Sequence, residues 1–125
     1  MAIEKFEDID AWKKARILSN DIYNLTSKGK FKKDFGLCGQ IQRASVSVMS
    51  NIAEGFGCNS HNEFLQFLNY ARRSSLEVQS HLYVALDRGF ITKEKFNEIY
   101  QKALEVKMLI NGFMRYLKGH YDKNK

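Results

Sequence analysis

The chain has no proline, two cysteines and one tryptophan, and its eight glycines fall mostly between periodic stretches. Without proline, no residue removes a backbone donor from a helix interior, so long uninterrupted helices are favoured over a sheet. Two cysteines are too few for a disulfide scaffold or a closed zinc site. Cys38 and Cys58 fall at opposite ends of one predicted helix, where some 17 residues at ~1.5 Å each hold them roughly 25 Å apart. A disulfide needs Cα atoms within ~7 Å, so the two do not pair within one chain.

Long apolar runs are also missing. The longest stretch without a charged residue, Ala44 to Ala53, is about half of the roughly 20 residues that a membrane span requires. Glu4, Glu7, Asp8 and Asp10 stand where a secretory signal needs basic and then apolar residues, so the expected location is the cytoplasm. No Walker loop, glycine-rich phosphate fingerprint or nucleophile elbow occurs, and neither a metal nor a cofactor is expected.

What remains is 125 residues, 44% hydrophobic and 27% charged, the make-up of one globular domain spanning 1–125. The formal charge of +6 suits a polyanionic partner, nucleic acid above all.

Four helical patterns account for nearly the whole length. Ala11, Ala15, Leu18, Ile22 and Leu25 recur at spacings of four and three, with Asp8 or Asp10 as the cap and an end near Ser27. A basic loop, 28–35, follows. Asp34 caps a second helix expected from Phe35 to Glu54, whose core row is Leu37, Ile41, Ala44, Val48 and Ile52. A second apolar row on that helix, Val46, Met49, Ala53 and Phe56, looks for another neighbour and is the candidate interface with a copy of the same chain.

Gly55 and Gly57 mark a turn, and Ser60 with Glu63 forms a capping box ahead of a third helix running to about Arg88. Its expected core face is Phe64, Phe67, Ala71, Ser75, Val78, Leu82 and Leu86, and Gly89 closes it. Thr92 caps the fourth helix, with Ile91 and Phe96 placed as a hydrophobic staple. The repeat Phe96, Ile99, Ala103, Val106, Ile110, Phe113, Leu117 ends at Gly119, leaving a polar tail over 119–125 expected to fray. Short connections predict an all-α, antiparallel up-down-up-down four-helix bundle.

Three groups of residues are candidates for function. Lys28, Lys30, Lys32 and Lys33 crowd the loop, Lys13, Lys14 and Arg16 lie on the first helix, and Arg72 and Arg73 on the third. Such cations neutralise phosphates without reading sequence, and Phe31 or Phe35 is placed to stack on an unpaired base. Arg43, Asn51, Glu54, Glu63 and Glu77 read best as a polar network between the second and third helices; if these fold back at residue 57 or 58, Arg43 lies within a turn or two of Glu77 and Arg43→Ala costs stability.

Enzymatic readings fare worse. Di-iron bundles use Glu-x-x-His pairs, and Glu77 to His81 is one residue too long. Arg115 to His120 matches the Arg-x4-His spacing of bundle ribonucleases, but Gly119 is expected to break the helix between them. His61 and His81 read as surface or cap neighbours.

The motif F-x-D-I-x-A-W-x-x-A at Phe6 to Ala15, and F-G-L-x-x-Q-I-x-R-A-S-x-S-V-x-S-N-I-A-E-G from Phe35 to Gly55, are joined by Ser60-x-x-Glu63-Phe64-x-x-Phe67-Leu68 and Ala71-Arg72-x-Ser74-x-x-Glu77-Val78. Together they resemble the four-helix bundle proteins encoded within intervening sequences of bacterial 23S ribosomal RNA genes. Met49 and Lys32 stand where that family commonly has proline, so a straighter second helix is expected here. The resemblance implies a non-enzymatic homopentamer that binds RNA or another nucleic acid. The alternatives are a pure protein-protein scaffold, or an accessory protein of a retroelement that partners a reverse transcriptase.

Overall fold

A computed structural model of the chain describes the backbone of residues 3–123 and the side chains of 3–119. Four α-helices, α1 (Asp10–Thr26), α2 (Phe35–Phe56), α3 (His61–Asp87) and α4 (Lys93–Lys123), are preceded and interrupted by two single 3-10 turns at Phe6–Asp8 and Phe31–Lys33. No strand occurs among the described residues, and no helix there is long and apolar enough to cross a membrane.

Each helix packs on its neighbours in sequence, and α1 also packs on α4, closing a ring of four. Inside it lie Ala15, Leu18 and Ile22 of α1; Ile41, Val48 and Ile52 of α2; Leu68, Val78 and Leu82 of α3; and Ala103, Val106 and Ile110 of α4. These are the rows that a 3.6-residue period selects, with Leu68 and Ala85 buried beside the expected face of α3. Phe67 and Leu86 are only partly buried.

The helix ends follow local chemistry. The Asp34 carboxylate accepts from the Leu37 amide at 3.0 Å, the Ser60 hydroxyl from Glu63 at 3.2 Å and the Thr92 hydroxyl from Lys95 at 3.0 Å. At the end of α3, Gly89 takes a φ of +72°, while the Phe90 amide donates to Ala85 and the Gly89 amide to Leu86. That is a Schellman closure, and glycine supplies its left-handed residue without a Cβ clash.

Two expected ends are corrected. Neither Asp8 nor Asp10 caps α1: the cap position is Ile9, without a side-chain bond, and the Asp8 carboxylate accepts from Glu4 N at 3.3 Å instead. Nor does Gly119 stop α4, whose backbone continues to Lys123. One glycine without a following left-handed turn costs a helix only about 1 kcal/mol, less than a long helix tolerates.

The second apolar row of α2 is partly used within the chain. Met49 and Phe56 pack on the chain's own core, Ala53 is half-buried, and Val46 is exposed. With α1 on one flank and α3 on the other, a wide apolar arc finds partners inside a single subunit.

The expected polar network divides into local pairs. Asn51 Nδ2 donates to Ser47 O at 2.8 Å and to Ser47 Oγ at 2.9 Å, and Ser47 Oγ lies 2.9 Å from Ser74 Oγ, linking α2 to α3. Glu63 stays within the capping box, accepting from Ser60 Oγ at 3.1 Å, and Glu77 holds His81 at 3.2 Å. Glu54 is exposed, and only its backbone carbonyl engages the Cys58 thiol. Arg43 does not reach Glu77: it is exposed, folded back over Gly39, and has no ion-pair partner among the described residues. A long guanidinium at the surface remains in water unless a buried carboxylate repays its desolvation.

α2 and α3 approach closely at Gly55, where an added Cβ would stand 2.8 Å from both the Phe64 ring and Phe67 Cβ. Gly55→Ala is therefore expected to lower stability by about 1–3 kcal/mol despite its better helix propensity, whereas Gly112→Ala, whose Cβ would meet nothing nearer than Arg115 Nη2 at 3.8 Å, raises it by about 0.5–1 kcal/mol. Urea denaturation of both variants checks the pair. In the same assay Asn51→Ala costs about 1 kcal/mol and Arg43→Ala changes stability by less than about 0.5 kcal/mol.

Candidate nucleic-acid interface

The α1–α2 connection turns at Gly29, whose φ is +59°, and runs inward at Phe31. Phe31 is fully buried, its ring stacked on Phe90 with centroids 5.3 Å apart and planes 26° from parallel. The Cys38 thiol donates to the Phe31 carbonyl at 3.0 Å, and Gln42 Nε2 donates to the Thr26 hydroxyl at 2.9 Å. The loop is thus fixed to the end of the bundle from both sides. Burial and the nearby Asp34 carboxylate push the Cys38 thiol up, which suits a donor to a carbonyl rather than a nucleophile.

With Phe31 anchored, Lys28, Lys30, Lys32 and Lys33 all face solvent, and none forms an ion pair with a described residue. The expectation that Phe31 stacks on a base is corrected, since its ring is enclosed in the core. Phe35 is the opposite case, 83% exposed at the first position of α2. The Phe31–Phe90 stack brings a third segment to the same end: Arg88 and Lys93, exposed on either side of the α3–α4 turn. The six cations Lys28, Lys30, Lys32, Lys33, Arg88 and Lys93 are all exposed, and none forms an ion pair with a described residue. Arg88 and Lys93 lie some 60 residues from the loop, and no periodicity or motif points to them.

The other cations expected at this interface lie elsewhere. Lys13, Lys14 and Arg16 are near the start of α1, about 20 Å along the helix from the loop. Lys13 pairs with Asp10 at 3.9 Å, Lys14 with Glu105 at 3.5 Å, and the Arg16 guanidinium sits 5.9 Å from the Trp12 ring centre. Arg72, midway along α3, donates twice to Asn69 Oδ1, and Arg73 beside it is exposed. The nine candidate cations therefore do not form one surface. Arg115 is exposed, and the His120 side chain lies outside the described residues.

Beside Lys28 the surface opens into a cleft of about 440 Å³ between the end of α1 and the start of α4. Its apolar lining is Leu25, Phe90, Ile91 and Ile99, and Asp21, Asn24, Lys95 and Glu98 add polar groups. A second groove, about 340 Å³, lies at the other end over Ile9, Leu109 and Phe113. Asp8 and Asp10 line that one, and their carboxylates would repel a phosphate there. No group of three His, Cys, Asp or Glu side chains comes together as metal ligands among the described residues.

Among solved structures, the chain is similar to a protein of unknown function from the S23 ribosomal protein family of Bacteroides thetaiotaomicron. The TM-score is 0.77 at 23% identity, over 83% of this chain and 97% of that one. At that identity the likeness establishes the fold alone. Comparison with curated proteins gives no match. The family described as 23S rRNA-intervening sequence protein matches residues 7–112, from the 3-10 turn before α1 deep into α4, and this chain belongs to that family.

Proposed function

We propose that the protein is a non-enzymatic, self-associating four-helix bundle that binds RNA or another nucleic acid through the end bearing the lysine loop. The observation that carries this reading is the set of four solvent-facing lysines without ion-pair partners, held on a loop that Phe31 fixes to the core. A charge already committed to a carboxylate gains little from a phosphate, whereas an unpaired lysine gains the release of condensed counterions. Exposed Arg88 and Lys93 extend the same surface.

An up-down-up-down antiparallel course is supported by the contacts between helices. Lys14 meets Glu105 while Asp21, further along α1, meets the earlier Lys102; Tyr83 meets Phe96 while Phe64 meets Phe113. Self-association, as a pentamer in the reading that the family resemblance implies, is supported by exposed Val46 on the flank of α2. A ring would repeat one weak basic patch several times, and avidity rises steeply when linked sites engage together.

Filter binding against single-stranded RNA at two salt concentrations tests the main claim. If each of the four loop lysines holds one phosphate, raising salt from about 50 to about 200 mM weakens binding roughly fiftyfold. The triple change Lys30→Glu, Lys32→Glu, Lys33→Glu then removes most of both affinity and salt slope; affinity indifferent to salt refutes the proposal. Val46→Glu is the matching test of assembly: light scattering is expected to give smaller species than the unmodified protein, without loss of helix content. A monomeric unmodified protein would end the assembly part.

A further inference from the structure

We infer that the cleft between α1 and α4 takes up one unpaired nucleobase of the strand whose phosphates lie on the lysine loop. This rests on the proposed nucleic-acid role and names its substrate class: strands with free bases rather than duplexes.

The cleft's size, about 440 Å³, is that of a small-ligand pocket. Phe90 lines it and is already stacked on the enclosed ring of Phe31, so a base entering there lengthens an existing aromatic stack between aliphatic walls. The edge of a base needs a donor and an acceptor side by side. Asn24, exposed at the cleft, carries both on one amide, and its side chain bonds to no described residue.

The charged groups around it are mostly satisfied. Asp21 holds Lys102 at 2.6 Å and Lys95 holds Glu98 at 2.8 Å, so neither pair presents a net charge to a neutral base. Lys28 is the cation at the cleft without an ion-pair partner, placed for the phosphate of the same nucleotide. A base held in a duplex cannot enter such a cleft unless it leaves its partner, at the cost of pairing and stacking.

The test compares a single-stranded 12-mer, a strand of equal charge whose central positions are abasic, and a duplex of the same sequence, in RNA and in DNA. The full-length protein is expected to bind the base-bearing strand about tenfold tighter than the abasic one, as stacking of one base predicts. Asn24→Ala should bring binding of the base-bearing strand down toward the abasic level and leave abasic binding unchanged, whereas Phe90→Leu, which also loosens the stack that holds the lysine loop, should remove the preference for bases and weaken abasic binding as well. Lys32→Glu with Lys33→Glu should weaken all substrates together. Asn24 is exposed, so its variant carries the test even where Phe90→Leu lowers the melting temperature.

Equal affinity for base-bearing and abasic strands overturns the inference, as does a preference that survives both cleft variants but is lost in Phe35→Ala. In both cases a lysine-dependent affinity would leave the nucleic-acid role standing. If no substrate binds, or the lysine changes have no effect, that role fails and the cleft inference with it.

Discussion

The stack of Phe31 on Phe90 is the contact on which one whole end of this protein depends. It joins two connections distant in sequence, closes the core, and turns a chain of lysines into a fixed surface. A loop as charged as 28–35 would otherwise sample many conformations, and each would have to be given up when a ligand bound. Anchoring the loop through a buried ring and a thiol-to-carbonyl bond removes most of that loss before any partner arrives. Glycine matters at both joints because each turn needs a left-handed residue: Gly29 starts the inward path of the loop and Gly89 ends α3 so that Phe90 points back at it.

The rest of the bundle holds these two connections at a constant spacing. α2 and α3 meet where Gly55 makes room for the Phe64 and Phe67 side chains and through paired hydroxyls at Ser47 and Ser74, one close approach and one polar link. Among the described residues, no deeply buried ion pair serves this purpose. The Lys102–Asp21 and Lys14–Glu105 pairs lie on the α1–α4 seam with much of their side chains in solvent, where such pairs contribute little to stability. Register is therefore a matter of shape, and a helix surface tolerates cations freely wherever shape does not need them.

How much of this the sequence disclosed follows from the range of each interaction. Asp34, Ser60 and Thr92 were readable as caps because a cap bonds an amide only three residues away. The core rows were readable because helical period is local. Phe31 was misread because its neighbours are lysines, and nothing nearby reveals that Phe90 waits some 60 residues on. Arg43 and Glu77 were misread for another reason: the fold-back of α3 on α2 suggested a contact, whereas each side chain settled with what its own helix offered, Gly39 for one and His81 for the other. The Asn24 cleft carries no sequence signal at all, since α1, the α3–α4 turn and α4 must all be in place before it exists.

Charge alone would make this end of the bundle indifferent among polyanions, because a lysine presents a point charge that any phosphate satisfies. Discrimination requires a second element that is neutral, shaped and within one nucleotide's reach of a cation. The α1–α4 cleft has those properties beside Lys28, and the same Phe90 that anchors the loop forms part of its lining. One residue thus couples the two features. A change that loosened the Phe31–Phe90 stack would disperse the lysines and deform the cleft together, so the orientation of the charges and the shape of the cleft are set by a single packing contact rather than by two independent ones.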